Sequence, residues 1–275
     1  MFTIIQVKFN FMTVKQKIVS AEYIKLLSLH FLIQGAFSIY FFLPQFIRAT
    51  GGTEFIIGIV MGASAVSGVI FRLPSGGWID RFGSRKLAII GTALFTLAAA
   101  LPILASSAGI YLILARCVLG AALVIYFTSV VTLFADMAPP DRRAEALAIF
   151  GAAGFIATAV FPYFCEQLLI RLPFSEISNY KLLFGVATLL CFGSTMIAVN
   201  VGLSSRKRPS KDKRKPDPWH RVFRKPAILF LFLPSLAFGA GYTAITSFVT
   251  DFTSVCNLGQ TSNYFLSYSI VIIVL

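Results

Sequence analysis

Residues 75–87 read SGGWIDRFGSRKL, a run that places three glycines, one acid and three bases between two strongly apolar stretches. Upstream, 55–74 carries a single charge, Arg72, and downstream 87–106 carries none. Each of these flanks has about the 20 residues that a helix needs to cross a hydrocarbon core about 30 Å thick. A polar, turn-prone dozen between two such runs reads as a short loop at a membrane face, with glycine freeing the backbone to reverse direction.

The same pattern repeats along the chain. Hydrophobic residues make up 57% of the 275 and charged residues 13%, against roughly 45–50% and 25% in soluble domains, and the mean hydropathy is +0.82. Apolar spans are expected at 24–44, 55–74, 87–106, 109–134, 145–168, 181–203 and 227–249, with an eighth starting near 264 and running to Leu275. The alternating ten-residue segments of a membrane β-barrel are not seen. The fold class is therefore an all-α polytopic membrane protein. The eighth segment, YFLSYSIVIIVL, has only a dozen residues, which at 1.5 Å each fall short of a crossing. It is expected to be half-inserted, or the chain to be a fragment of a longer protein.

Basic residues mark the cytoplasmic side of membrane helices. On one side lie Lys8, Lys15, Lys17 and Lys25, then Arg81, Arg85 and Lys86, then Arg142 and Arg143, and ten more bases between 204 and 226. The opposite side holds Arg48, Arg171 and Lys181. This asymmetry places the N-terminus in the cytoplasm and accounts for much of the +13 net charge. The basic loop beside anionic headgroups needs no nucleic-acid partner. Pro209, Pro216, Pro218 and Pro226 interrupt that loop, which makes it a linker. The organisation is a cytoplasmic tail (1–23), a six-helix bundle (24–203), a basic cytoplasmic linker (204–226) and the start of a second, incomplete bundle (227–275). The cysteines Cys117, Cys165, Cys191 and Cys256 are dispersed without metal or redox spacing, and no cleavable signal peptide is evident.

The loop Gly76-x-x-x-Asp80-Arg81-x-Gly83-x-Arg85-Lys86 resembles the signature loop between spans two and three of the major facilitator superfamily. In span four, LARCVLGAA sets Arg116 four residues before Gly120, similar to the family's span-four arginine motif. The continuation ADMAPPDRRAEALAIFG, with Asp136, Arg142 and Arg143, resembles the 4–5 loop of its bacterial efflux members. So do Pro44 in span one, FRLPSGGWIDRFG, and span seven, LPSLAFGAGYTAITSFVTDF. The resemblance implies a major-facilitator-type six-helix bundle followed by the first one or two helices of a second, in a bacterial plasma membrane. It also implies a secondary transporter of a small molecule, of the efflux kind, whose loop ion pairs are remade as two bundles rock. A facilitator or uptake symporter on the same fold, or a non-transporting fragment, are the alternatives. Two departures stand out. Ser84 holds the place where the family often has a base, so a pair to Asp136 is left to Arg85 or Arg81, or is absent. Phe161 stands beside Pro162 where antiporters of the family tend to have a small residue.

Candidate pathway residues are those polar side chains that an apolar span would otherwise omit. Arg116 lies inside span four, at a cost of a few kcal/mol unless it meets water, protein or a substrate anion. His30, Gln34 and Ser38 repeat at i, i+4 and i+8 on one helical face, as a cavity-lining stripe or as hydrogen-bonding groups between helices. His30 is the candidate proton carrier of the first half, no acid lying at mid-depth in the spans. Tyr242, Thr243 and Thr246 form a polar patch beside Gly239 and Gly241. No nucleotide-binding P-loop, HExxH motif or paired intramembrane carboxylates point to an enzyme, a cofactor or a metal. The implied partners are the lipid bilayer, a small-molecule substrate and, in a coupled mechanism, protons.

Overall fold

The computed structural model describes residues 20–202 and 226–274. The tail before Ser20 and most of the basic linker lie outside these residues. The described chain is helical throughout: α1 (Ala21–Ile39), a 3-10 turn (Tyr40–Phe42), α2 (Leu43–Ala49), α3 (Glu54–Phe82), α4 (Ser84–Leu104), α5 (Ile110–Met137), a second 3-10 turn (Pro140–Arg142), α6 (Arg143–Arg171), α7 (Glu176–Asn200), α8 (Pro226–Val255) and α9 (Thr261–Val274). With α1 and α2 forming one span, six helices among the described residues are long and apolar enough to cross a membrane.

Helix ends follow local chemistry. Ser20, Thr53 and Ser175 accept the backbone N–H groups of Tyr23, Ile56 and Ser178, capping α1, α3 and α7. Pro44 cannot donate to the carbonyl four residues back. The chain tightens there instead, and the Leu43 N–H bonds the Tyr40 carbonyl in a 3-10 turn.

One expected boundary moves. The stretch 75–82 is helical, so α3 runs well past 74 and the loop shrinks to Gly83. Gly83 has φ +83° and ψ 149°, a region that only glycine visits freely. A single residue in that conformation reverses the chain, and the polar residues before it form the last two turns of α3.

Around the bundle, α6 packs on α1, α1 on α7, α7 on α4, α4 on α5, and α5 on α3. Small residues set the closest approaches, since lipid gives helices no hydrophobic drive to associate. At Gly91 of α4 an added methyl would sit 2.8 Å from the Tyr126 backbone nitrogen of α5. At Gly120 of α5 it would overlap the Ser64 carbonyl and Ser67 hydroxyl of α3. Ser67 there donates to the Cys117 carbonyl at 2.8 Å, so α3 and α5 touch backbone to side chain. By contrast, Gly58 and Gly62 have open space where a methyl would go. The Phe161 ring lies against Gly35 of α1, where a side chain would overlap it. The bulky residue in span five is thus matched by a missing one on the facing helix.

Candidate functional site

At the end of the bundle where α3 turns into α4, the signature residues take distinct positions. Gly76 and Gly77 are exposed with open space around them, and Asp80 and Arg81 lie in the last turns of α3, the Arg81 guanidinium 5.3 Å from the Phe82 ring. Arg85 reaches from α4 to the Val199 carbonyl at the end of α7, 3.0 Å away. Lys86 occupies the first turn of α4 and Asp136 the last turn of α5. Arg142 holds Glu145 with two bonds of 2.8 and 2.6 Å, and Arg143 opens α6. Next to them, Glu22 accepts the Gly202 N–H at 2.8 Å while Lys25 approaches the Asn200 carbonyl. The start of α1 therefore fixes the place where the chain leaves the bundle for the linker.

Within the bundle, His30 is 2% exposed, and its Nδ1 is hydrogen-bonded to the Tyr126 hydroxyl of α5 at 2.8 Å. Its ring stacks on Phe150 of α6 with centroids 3.7 Å apart. The other ring nitrogen faces Gly154 of α6, and Gln34 lies against the same glycine. Gln34 Oε1 is buried with no hydrogen-bond partner. Ser38 is fully buried and bonds the Gly35 carbonyl of its own helix at 2.7 Å. His30 and Gln34 thus lie on the seam between α1 and its neighbours α5 and α6, and Ser38 turns back on its own helix.

Arg116 is 6% exposed. It donates to the Met61 carbonyl at 3.3 Å and lies 6.0 Å from the Tyr40 ring, while its Nε and the Tyr40 hydroxyl are both buried and unpartnered. The motif's glycine explains its position: Gly120 brings α5 onto α3, and the arginine one turn earlier reaches the Met61 carbonyl of that helix.

In the second part of the chain, α8 and α9 enclose a cavity of about 260 Å³. Tyr242 and Thr246 line it, as the sequence patch suggests, whereas Thr243 is exposed beside it. Its other wall is aromatic, made of Tyr264, Phe265 and Tyr268 from α9, with the Tyr264 and Tyr268 rings stacked 6.2 Å apart. These three were missed, although Tyr264 and Tyr268 at i, i+4 share one helical face and the pairing was there to read. Among the described residues no group of three His, Cys, Asp or Glu is placed to hold a metal.

The Major Facilitator Superfamily profile matches residues 26–275. The chain belongs to this superfamily. Membership makes it an integral membrane protein of a transporter family, not an enzyme. Among curated relatives, Multidrug resistance protein 2 of Bacillus subtilis (strain 168) is 27% identical over 217 residues, covering 76% of this chain and 53% of that protein. Quinolone resistance protein NorA of Staphylococcus aureus (strain MRSA252) is 24% identical over 223 residues, covering 77% and 54%. The chain thus spans about half the length of these curated relatives. Two solved structures share the fold: a bacterial homologue of the human lysosomal transporter Spinster (TM-score 0.68, 16% identity, 94% of this chain, 60% of that chain) and a D-xylose–proton symporter (TM-score 0.60, 14% identity, 92% and 65%).

Proposed function

We propose that the protein is a secondary active transporter that moves a small molecule out of the cell by alternating access, with the proton as candidate coupling ion. The observation that carries this reading is the signature turn. A single left-handed glycine joins α3 to α4, with an acid and three bases within three positions of it and Arg85 tied to the end of α7. Such a turn fixes the backbone at one residue and presents charged side chains that can form and exchange ion pairs, which suits a face that opens and closes. The efflux direction is supported by the printed names of the distant relatives, a multidrug and a quinolone resistance protein. The orientation, with the N-terminus and the 204–226 linker in the cytoplasm, rests on the distribution of lysine and arginine, and a bacterial plasma membrane on the likeness to bacterial relatives.

On this reading the polar and aromatic groups between the helices have distinct tasks. Arg116 keeps a full charge in the apolar interior with Nε unpartnered, which suits it to meet an anionic group of a substrate or of a further helix. His30 lies on the seam between α1 and α6, where a proton would change the packing of two helices. The aromatic wall of the α8–α9 cavity offers flat apolar contact.

The test is flux through the full-length protein reconstituted in proteoliposomes, loaded with a panel of fluorescent apolar and amphiphilic compounds. Substrate loss that follows an imposed pH gradient supports proton-coupled efflux. Net influx down the substrate gradient, unaffected by pH, replaces it with the facilitator reading. Absence of flux under every gradient refutes transport.

A further inference from the structure

At the face opposite the signature turn, two carboxylate contacts of different kinds are among those that join the first six-helix unit to the α8–α9 pair. Arg48, in the last turn of α2, donates through Nε and Nη2 to both carboxylate oxygens of Asp251 on α8, at 2.9 and 2.8 Å. The third arm of the same guanidinium, Nη1, holds Glu54 at the start of α3, 3.0 Å away. On the other flank, Glu166 near the end of α6 accepts the Thr261 and Ser262 N–H groups, one on each oxygen, both at 2.9 Å. Those are first-turn amides of α9, which have no partner within their own helix. A carboxylate set on them caps the helix and faces its positive end.

We propose that these two contacts form a clasp that holds this face closed, and that its release lets the α8–α9 end swing from the six-helix unit. Its chemistry suits a contact that must break repeatedly. When Asp251 leaves, Arg48 keeps Glu54, so the cation stays paired and only an aspartate at the edge of the membrane needs water. When Glu166 leaves, the freed amides are those at the helix end, within reach of solvent. Neither release strands a charge in the hydrocarbon interior, where the cost is several kcal/mol. Between the two contacts, the Gln45 side-chain amide donates to the Thr250 carbonyl at 2.8 Å, and the Thr250 hydroxyl donates to the Phe41 carbonyl. One step deeper, Phe41 stacks on Phe265 of α9 with centroids 4.7 Å apart. The clasp therefore lies over an aromatic plug, and a cavity of about 520 Å³ lined by Gln45, Glu166, Tyr180 and Thr261 opens beside it.

This inference rests on the alternating-access reading, yet its test needs neither substrate nor gradient, so a failure of transport and a failure of the clasp are separate results. Spin labels are placed at Ser106, in the turn between α4 and α5, and at Leu258, between α8 and α9. The full-length protein carries serine at every native cysteine, Cys117, Cys165, Cys191 and Cys256 included, and is held in lipid nanodiscs. Double electron–electron resonance is expected to give a single short-distance population for the parent. In Glu166→Ala/Asp251→Ala a longer-distance population appears and dominates. It takes a smaller share in Asp251→Ala alone, which leaves Arg48 on Glu54 and so folds even if the double variant does not. Asp251→Glu, which keeps the ion pair, retains the parent distribution. An unchanged distribution in Asp251→Ala and in the folded double variant, or lengthening in Asp251→Glu equal to that of the alanine variant, overturns the clasp.

Discussion

Replacing Gly120 with alanine adds one methyl at the closest approach in the bundle, and its cost can be worked from the contact. The methyl would overlap the Ser64 carbonyl and the Ser67 hydroxyl. Neither moves freely: Ser64 O is α3 backbone, and Ser67 is held by its bond to the Cys117 carbonyl at 2.8 Å. Forcing α3 and α5 apart costs about 1–3 kcal/mol in overpacking. It also breaks the Ser67 bond, worth about 1 kcal/mol. Alanine's better helix propensity returns about 1 kcal/mol, leaving a net loss of about 1–3 kcal/mol. At roughly 2–4 °C per kcal/mol for a chain of this size, the melting temperature falls by about 2–12 °C. Gly62→Ala is the control: the same helix as Ser64, no atom within 4 Å of the new methyl, and no loss expected. The assay is thermal unfolding of the purified protein in detergent, followed by intrinsic fluorescence. If Gly120→Ala melts with the parent, or Gly62→Ala falls equally, backbone contact does not join α3 to α5.

Two further substitutions probe the site. Tyr126→Phe removes the hydroxyl bonded to His30 Nδ1 and leaves a buried ring nitrogen unsatisfied, at a cost of about 1–3 kcal/mol; an unchanged melting temperature in the same assay would show that the bond contributes nothing. Gly83→Ala forces a side chain into φ +83°, ψ 149°, costing about 1–3 kcal/mol of backbone strain. Because α3 and α4 then re-enter the face differently, transport in proteoliposomes is expected to fall by more than melting accounts for, and wild-type flux at lowered stability would remove the turn from the transport cycle.

The signature residues were legible because their meaning is local. Asp80, Arg81, Gly83, Arg85 and Lys86 lie within seven positions, so their composition announced a polar turn between apolar spans. The boundary was misplaced for a local reason as well: glycine and charge do not themselves end a helix, and α3 continued to Phe82 because one left-handed glycine was enough to reverse the chain. Of the seven spans and partial eighth that length and hydropathy announced, the first six correspond to the six helices long and apolar enough to cross a membrane among the described residues, since a helix that meets lipid must carry about 20 apolar residues.

What the sequence determined alone was the set of helices, their membrane character and the family, because each depends on residue type and short spacing. Only the tertiary structure decided which polar groups meet. Arg48 and Asp251 are 203 positions apart, and Glu166 and Thr261 are 95 apart. Nothing in either neighbourhood marks the other. His30 could be ranked as cavity-facing or seam-facing only once Tyr126, Phe150 and Gly154 were seen around it. A stripe on a helix fixes a direction about that helix's axis, whereas the neighbour it faces is set by how six helices pack, and packing is settled by steric fits such as Gly35 against Phe161.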